Sequence, residues 1–152
     1  DMDALFGFVV KDLEDALGSR EYKRSEIAVV YDDKAYRAGS FAYEDRSLPE
    51  HLLEVLGRAG IPAAWVSQDV RAKELFDITT DRVSLISVHS AKGLDFDLVY
   101  LVGMDHMQPT EETWDSALSL LYVAMTRAKY RLVVPYVEET ELIQRMKRAL
   151  SD

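Results

Sequence analysis

The spacing of apolar residues along the chain constrains its fold more than any other sequence feature. Short continuous apolar runs alternate with longer segments in which apolar residues recur every three or four positions. A short run is typical of a strand buried on both faces, and the longer spacing is typical of an amphipathic helix. Because parallel strands need crossover connections, this alternation predicts an α/β fold with a mainly parallel sheet covered by helices on both sides.

Turn and cap residues divide this pattern into separate elements. Strands are expected at residues 27–31, 63–66, 83–88, 98–102 and 131–135. Helices are expected at residues 5–17, 48–59, 70–76, 114–125 and 142–150. Ser47 and Glu50 have capping-box spacing, while Gly18 and Gly60 stand where a glycine commonly ends a helix. Ligands of such sheets gather at the carboxyl ends of the strands, which here include Tyr31 and the segment after Val88.

Length and composition limit the class of protein. The 152 residues fit one domain, expected to span residues 1–152, and 48% hydrophobic with 30% charged residues is ordinary for a soluble protein. No apolar run approaches the roughly 18–20 residues of a membrane span. Cysteine is absent and no secretory signal is present, so we expect a cytoplasmic protein without disulfides, cysteine-ligated zinc or a membrane partner. The opening at Asp1, directly before a helical pattern, suggests a piece of a longer chain.

The charge balance argues against a freestanding nucleic-acid binder. The formal net charge is -9 and the isoelectric point is about 4.8. Tight binding to phosphates depends on Lys and Arg side chains that displace counterions, so the chain alone should bind DNA poorly. A few local contacts by backbone amides and hydroxyls need no net positive charge and remain compatible with the sequence.

Two segments carry polar groups suited to phosphate chemistry. In the segment that follows the third strand, His89, Lys92 and Asp95 stand among Ser, Ala and Gly residues that let a backbone approach a ligand closely. In the second segment, Arg127 stands near the end of an otherwise apolar helix. The first segment is equally typical of a solvated turn, and the arginine is equally typical of a side chain that favours a helix C-terminus. From the residues alone these interpretations stay open.

Together the two segments resemble a known family. Residues 87–96 (SVHSAKGLDF) look like motif V, and residues 121–128 (LYVAMTRA) look like motif VI, of superfamily 1 DNA helicases of the UvrD/Rep/PcrA group. Residues 27–31, with the helix that ends in residues 59–62, are similar to the motif IV region of that family. The resemblance implies a RecA-like three-layer domain that serves as the C-terminal motor domain of an ATP-dependent helicase, moving 3′ to 5′ on DNA.

The resemblance also implies roles for residues at the ATP site. Arg127 would reach the γ-phosphate of ATP across a domain cleft as the catalytic arginine. Lys92 and Gly93 would lie near the same phosphates. Asp95 stands where the family usually has Glu and would accept a hydrogen bond from a ribose hydroxyl. Tyr31 matches an aromatic residue that stacks on adenine, although a ring that only caps the core fits the same position.

Single-stranded DNA is the second ligand that the resemblance implies. Ser87, His89 and Ser90 match positions that contact the DNA backbone. His89 fits equally well as a turn histidine whose hydrogen bonds are satisfied within the protein.

The sequence departs from the family pattern in three places. Asp32 follows Tyr31 where the family often has an arginine, and residues 116–118 replace a charged Glu-Glu-Arg run. Between Val66 and Val83 there is no room for the accessory domain that UvrD and PcrA insert. These departures predict a minimal version of the domain, in which one cationic phosphate contact is missing or is supplied by another residue such as Arg37.

The chain lacks the parts that bind nucleotide and metal in a complete motor. It contains no Gly-x-x-x-x-Gly-Lys-Ser/Thr loop and no Asp-Glu pair after a strand. ATP with Mg²⁺ should therefore be bound jointly with the N-terminal motor domain of the same parent chain, and the fragment alone should be inactive. The alternative from another class is a non-catalytic module that binds a protein partner through its acidic surface.

Overall fold

The computed structural model describes residues 2–31, 48–66, 81–88, 90–91, 93–103, 112, 114–136 and 139–151. The helices are α1 (Met2–Gly18), α2 (Leu48–Arg58), α3 (Trp114–Met125) and α4 (Glu141–Ser151), and a single 3-10 turn spans Arg24–Glu26. The strands are β1 (Ile27–Tyr31), β2 (Ala63–Val66), β3 (Val83–Ser87), β4 (Phe96–Val102) and β5 (Ala128–Val133). None of the helices in these ranges is long and apolar enough to cross a membrane.

The five strands form one sheet in the order β2-β3-β1-β4-β5, and every neighbouring pair is parallel. At the carboxyl end of the central strand, Tyr31 pairs with Ser87 on one side and with Val102 on the other. The α/β class and the parallel sheet predicted from the sequence are confirmed, in the arrangement expected for a RecA-like domain.

Helices cover both faces of the sheet, which gives three layers. Val29 of β1 belongs to the apolar cluster beneath α1 and α2, whereas its neighbour Val30 belongs to the cluster beneath α3 and α4. This alternation explains why β1 reads as a continuous apolar run, because each side of the strand has its own core. All five residues of β1 are buried, as the sequence predicted.

A polar contact attaches α1 to strand β4 of the sheet. The Tyr100 hydroxyl of β4 donates a 2.5 Å hydrogen bond to Asp12 of α1, and a guanidinium nitrogen of Arg131 lies 3.2 Å from the other oxygen of that carboxylate. Burial, together with the hydrogen bond and the charge of Asp12, raises the pKa of Tyr100 above its usual range. The phenol therefore stays protonated and remains a donor to Asp12.

Gly60 forms the predicted cap of α2, whereas Gly18 is the last residue of α1 and not its left-handed cap. Gly60 has φ 75°, its amide donates to the carbonyl of Gly57, and the Ile61 amide donates to the carbonyl of Leu56, as in a Schellman motif. Helix α1, by contrast, continues through Gly18, because the Ser19 amide still bonds to a carbonyl one helical turn back. The left-handed residue after α1 is Arg20, with φ 62°.

The observed strand boundaries differ from the predicted ones most at β5, an edge strand of the sheet. Strand β3 ends one residue earlier than predicted, β4 begins two residues earlier, and β5 spans Ala128–Val133 instead of residues 131–135. Strand β5 has a neighbour on one side only and exposes residues 129–131, so it lacks the apolar run of a doubly covered strand. In α3, Tyr122 is 71% exposed although it is apolar, and Ala124 is buried. The capping residue Ser47 and the helix predicted at residues 70–76 lie outside the described residues.

Candidate functional site

The motif V segment runs from the carboxyl ends of the strands, called here the carboxyl edge of the sheet, to their amino ends, the amino edge. It leaves β3 at the carboxyl edge. There the Val88 amide donates to the carbonyl of Tyr31 and the Ala91 amide donates to the carbonyl of Ser87, each with an N···O distance of 2.9 Å. It then enters β4 at the amino edge. Val88 and Ala91 are buried in the cluster beneath α3 and α4, so this crossing is anchored in the core.

A glycine sets the turn in the middle of this crossing. The Leu94 amide donates to the carbonyl of Ala91 over 3.0 Å, and Gly93 between them has φ 81°. A Cβ atom added to Gly93 would meet nothing within 4 Å. The need for glycine is therefore conformational, since an L-residue in the left-handed region is strained even in open space.

Arg127 lies in the two-residue turn between α3 and β5, and residues at the end of α3 and in the turn hold its side chain. Its Nε donates to the carbonyl of Val123 over 3.1 Å, and its Nη2 donates to the hydroxyl of Thr126 over 3.4 Å. The side chain is 20% exposed. The positive charge thus lies at the carbonyl end of α3, which the helix dipole favours.

Asp95 lies next to this arginine. The amide of Phe96, the residue after Asp95, donates to the carbonyl of Arg127 over 2.9 Å. The Asp95 Oδ1 atom lies 3.7 Å from Nη1 of Arg127, and the carboxylate side chain is 51% exposed. The structure thus brings together one residue from each of the two segments that the sequence singled out.

Tyr31 lies far from this pair. Phe96, whose amide contacts Arg127, precedes Val102 by six residues in β4, and Val102 pairs with Tyr31. At about 3.3 Å per residue, Arg127 and Tyr31 stand roughly 20 Å apart along the sheet. The Tyr31 side chain is 3% exposed, and its hydroxyl accepts a 2.7 Å hydrogen bond from Trp65. The ring thus packs against the core, as in the alternative interpretation of the sequence. Stacking on adenine stays a prediction, and it would require the ring to be exposed.

The described residues predicted to contact DNA are buried at the carboxyl edge. Ser87 and Ser90 are 1% and 2% exposed, and the hydroxyl of Ser87 accepts a 3.2 Å hydrogen bond from the Ser90 amide. The side chain of Ser87 therefore stabilises the turn that starts the crossing, and a DNA contact by either serine stays a prediction. His89 and Lys92 lie outside the described residues.

A carboxyl pair that the sequence analysis missed lies near the amino edge. A hydrogen bond between the side chains raises the pKa of Asp97, while that bond and one from the Lys23 amide lower the pKa of Glu26. The positive charge of Lys129 acts on both groups in the lowering direction. Only the pairing of β1 with β4 shows that Glu26 and Asp97 are neighbours. Across the described ranges, no group of three or more His, Cys, Asp or Glu residues is arranged to hold a metal ion.

Comparison with known proteins shows the family of the chain. Residues 40–139 match the UvrD-like helicase C-terminal domain family. The chain belongs to this family. The part that matches the UvrD-like family includes Asp95 and Arg127 and leaves out Tyr31, which lies before residue 40. The resemblance read from motifs V and VI is therefore confirmed at the level of the family.

The chain spans only 10–14% of the length of two curated relatives that it matches. It is 38% identical over 73 residues to DNA helicase II of Escherichia coli, which covers 43% of this chain and 10% of that protein. It is 29% identical over 99 residues to the ATP-dependent DNA helicase Rep of Buchnera aphidicola, covering 61% of this chain and 14% of that protein. The C-terminal domain of a possible DNA helicase from Lactobacillus plantarum shares the fold, with a TM-score of 0.65 at 21% identity over 97% of this chain and 76% of that chain.

Proposed function

We propose that this chain is the C-terminal motor domain of an ATP-dependent DNA helicase, which completes the ATP site and contacts single-stranded DNA. The observation that carries the proposal is the meeting of the two motif segments at one edge of the sheet, where Arg127 lies beside Asp95. Membership of the UvrD-like family supports it, as do relatives named DNA helicase II and Rep.

The local chemistry of this edge fits the phosphate end of a nucleotide. A guanidinium offers five N–H donors in a planar fork that matches phosphate oxygens. Two nitrogens of Arg127 are bonded to Val123 of α3 and to Thr126 of the turn, while Nη1 lies within ion-pair distance of Asp95 but beyond hydrogen-bonding distance. The side chain is thus fixed in place, and it retains donors for an incoming anion. Lys92 and Gly93 are proposed to lie near the same phosphates.

The sugar end of the nucleotide is assigned to Asp95. Its half-exposed carboxylate is an acceptor suited to a ribose hydroxyl, and it is close enough to Arg127 to serve the same nucleotide. Tyr31 is left out of this part of the proposal, because its ring is buried at the opposite edge. When bound, ATP with Mg²⁺ supplies the phosphoryl group, and the N-terminal motor domain supplies the phosphate loop and metal site that this sequence lacks.

Arg127 makes ATP binding sensitive to the distance between the two motor domains. It gains a phosphate partner only when the cleft between the domains closes, so ATP favours the closed state and loss of the γ-phosphate removes that preference. The crossing segment at residues 88–95 connects this edge to the carboxyl edge, where Ser87, His89 and Ser90 are proposed to meet the DNA backbone. Alternating closure and opening would then move the enzyme along one strand, in the 3′ to 5′ direction by resemblance.

Reconstitution tests the proposal. The chain is mixed with the N-terminal motor region of its parent polypeptide, and ATP hydrolysis is measured with and without single-stranded DNA. The expected result is DNA-stimulated hydrolysis by the mixture and none by either piece alone. A mixture that forms a complex but hydrolyses no ATP would contradict the motor function and favour a non-catalytic interaction module.

A further inference from the structure

The pairing of Asp95 with Arg127 does not depend on how two flexible side chains happen to be placed. The backbone hydrogen bond from Phe96 to Arg127 and the pairing of Phe96 with Ala128 fix the two segments side by side. Any conformation that keeps β4 paired with β5 therefore keeps Asp95 and Arg127 adjacent, within reach of an ion pair.

The two members of the pair differ in how firmly they are held. Arg127 is 20% exposed and bonded to Val123 and Thr126, and Thr126 is itself bonded to the carbonyls of Tyr122 and Val123. Asp95 is 51% exposed, and its contact at 3.7 Å is longer than a hydrogen bond. An incoming anion would therefore displace the carboxylate and leave the arginine where it is.

From this asymmetry we infer that Asp95 is the resting counter-ion of Arg127, a positioning residue that phosphate must displace to reach the guanidinium. The inference rests on the proposed function and deepens it. Without nucleotide, the carboxylate neutralises the arginine and repels weakly charged anions. With nucleotide, the two side chains separate, the arginine to the phosphate and the carboxylate to the sugar. The site thereby favours ligands that supply both a phosphate charge and a sugar hydroxyl.

A titration of this chain with inorganic pyrophosphate tests the competition, followed through the Nε–H nuclear magnetic resonance signal of Arg127 at low salt. Asp95→Asn should bind pyrophosphate roughly 1.4- to 5-fold more tightly, the range that a solvent-exposed ion pair corresponds to. Asp95→Glu, which keeps the charge, should lie between Asp95→Asn and the wild type. Asp81→Asn is the matched control, because it makes the same charge change and frees Arg24 from an ion pair of 2.8 Å.

Three outcomes of this titration separate the inference from the proposed function. A gain in affinity confined to Asp95→Asn supports the counter-ion role. An equal gain in Asp81→Asn, or weaker binding by Asp95→Asn, overturns that role. Binding that persists unchanged in Arg127→Ala shows that the arginine is not the phosphate ligand, and this contradicts the proposed function as well.

A nucleotide without ribose hydroxyls separates the two proposed uses of Asp95 in the full-length polypeptide. For 2′,3′-dideoxy-ATP the sugar contact cannot form, so Asp95→Asn should tighten binding by removing the competing charge alone. In an Arg127→Ala background the same substitution should have no effect. The inference would be overturned if Asp95→Asn bound the dideoxy nucleotide more weakly than the wild type does. It would also be overturned if Asp95→Asn changed the affinity equally with and without Arg127→Ala.

Discussion

The backbone amide of Phe96 donates a 2.9 Å hydrogen bond to the carbonyl oxygen of Arg127. This bond joins the start of β4 to the turn before β5, and it brings the two helicase-like motifs together at the amino edge of the sheet. The guanidinium of Arg127 and the carboxylate of Asp95 are neighbours as a consequence of strand pairing. Backbone geometry thus brings the two residues of the proposed site together.

Substitution of Gly93 tests the turn within the crossing segment. Gly93→Ala should lower the free energy of unfolding by about 1–2 kcal/mol, because φ 81° is a left-handed conformation that alanine adopts with strain. Urea unfolding of the chain gives this difference. Gly7→Ala is the matched control, since Gly7 lies within α1 and an added Cβ meets nothing within 4 Å.

The control should change stability in the opposite direction. Alanine replaces glycine inside a helix with a gain of about 0.5–1 kcal/mol. Equal effects of the two substitutions would show that the left-handed conformation of Gly93 contributes nothing to stability.

The contact between Tyr100 and Asp12 gives a second stability prediction. Tyr100→Phe removes a buried donor to a carboxylate, so the free energy of unfolding should fall by about 1.5–3 kcal/mol. Tyr130→Phe removes the same hydroxyl from a ring that is 78% exposed and should change stability by less than about 0.5 kcal/mol. Denaturant midpoints of both variants decide the matter, and similar losses would contradict the proposed attachment of α1.

The carboxyl pair predicts a dependence of stability on pH. The pKa of Asp97 is raised from its ordinary value of 3.8, so the folded chain favours the protonated acid that bonds to Glu26. This contribution is present below the ordinary value and is lost as pH rises through the raised pKa. Asp97→Asn keeps a donor and removes the charge, so its melting temperature should exceed that of the wild type at pH 7.

The advantage of Asp97→Asn should shrink as the pH falls toward 3.8, where the acid of the wild type becomes protonated. Thermal melts of both proteins across this range measure it. A difference in melting temperature that stays constant with pH would show that Asp97 and Glu26 do not share a proton.

The sequence predicts an element well when the element buries its own apolar residues, and poorly when the element is exposed. Apolar patterning alone locates strand β1 and helix α3, because each is defined by burial of its own apolar residues. Strand β5 was misplaced, because an edge strand with exposed residues carries no such pattern. The UvrD-like family was recognised from motifs V and VI, and the match over residues 40–139 confirms it.

The geometry of the site needed the strand register. Tyr31 ends one apolar strand and the motif V segment follows another, and neither fact shows that Tyr31 and Arg127 lie at opposite ends of the strands. The neighbourhood of Glu26 and Asp97 likewise arises from the pairing of distant strands. Contacts between residues far apart in sequence are set by topology, which the local pattern of a single sequence does not reveal.

The most direct test of the central claim is the turnover number for DNA-stimulated ATP hydrolysis by the full-length parent of this domain, compared between Arg127→Ala and Arg24→Ala. Arg24 is the control because it lies just before β1, is paired with Asp81 and is absent from the proposed site. Loss of a catalytic arginine should lower kcat about 10³-fold or more, while Arg24→Ala keeps the wild-type kcat. A turnover number for Arg127→Ala equal to that of Arg24→Ala would contradict the account.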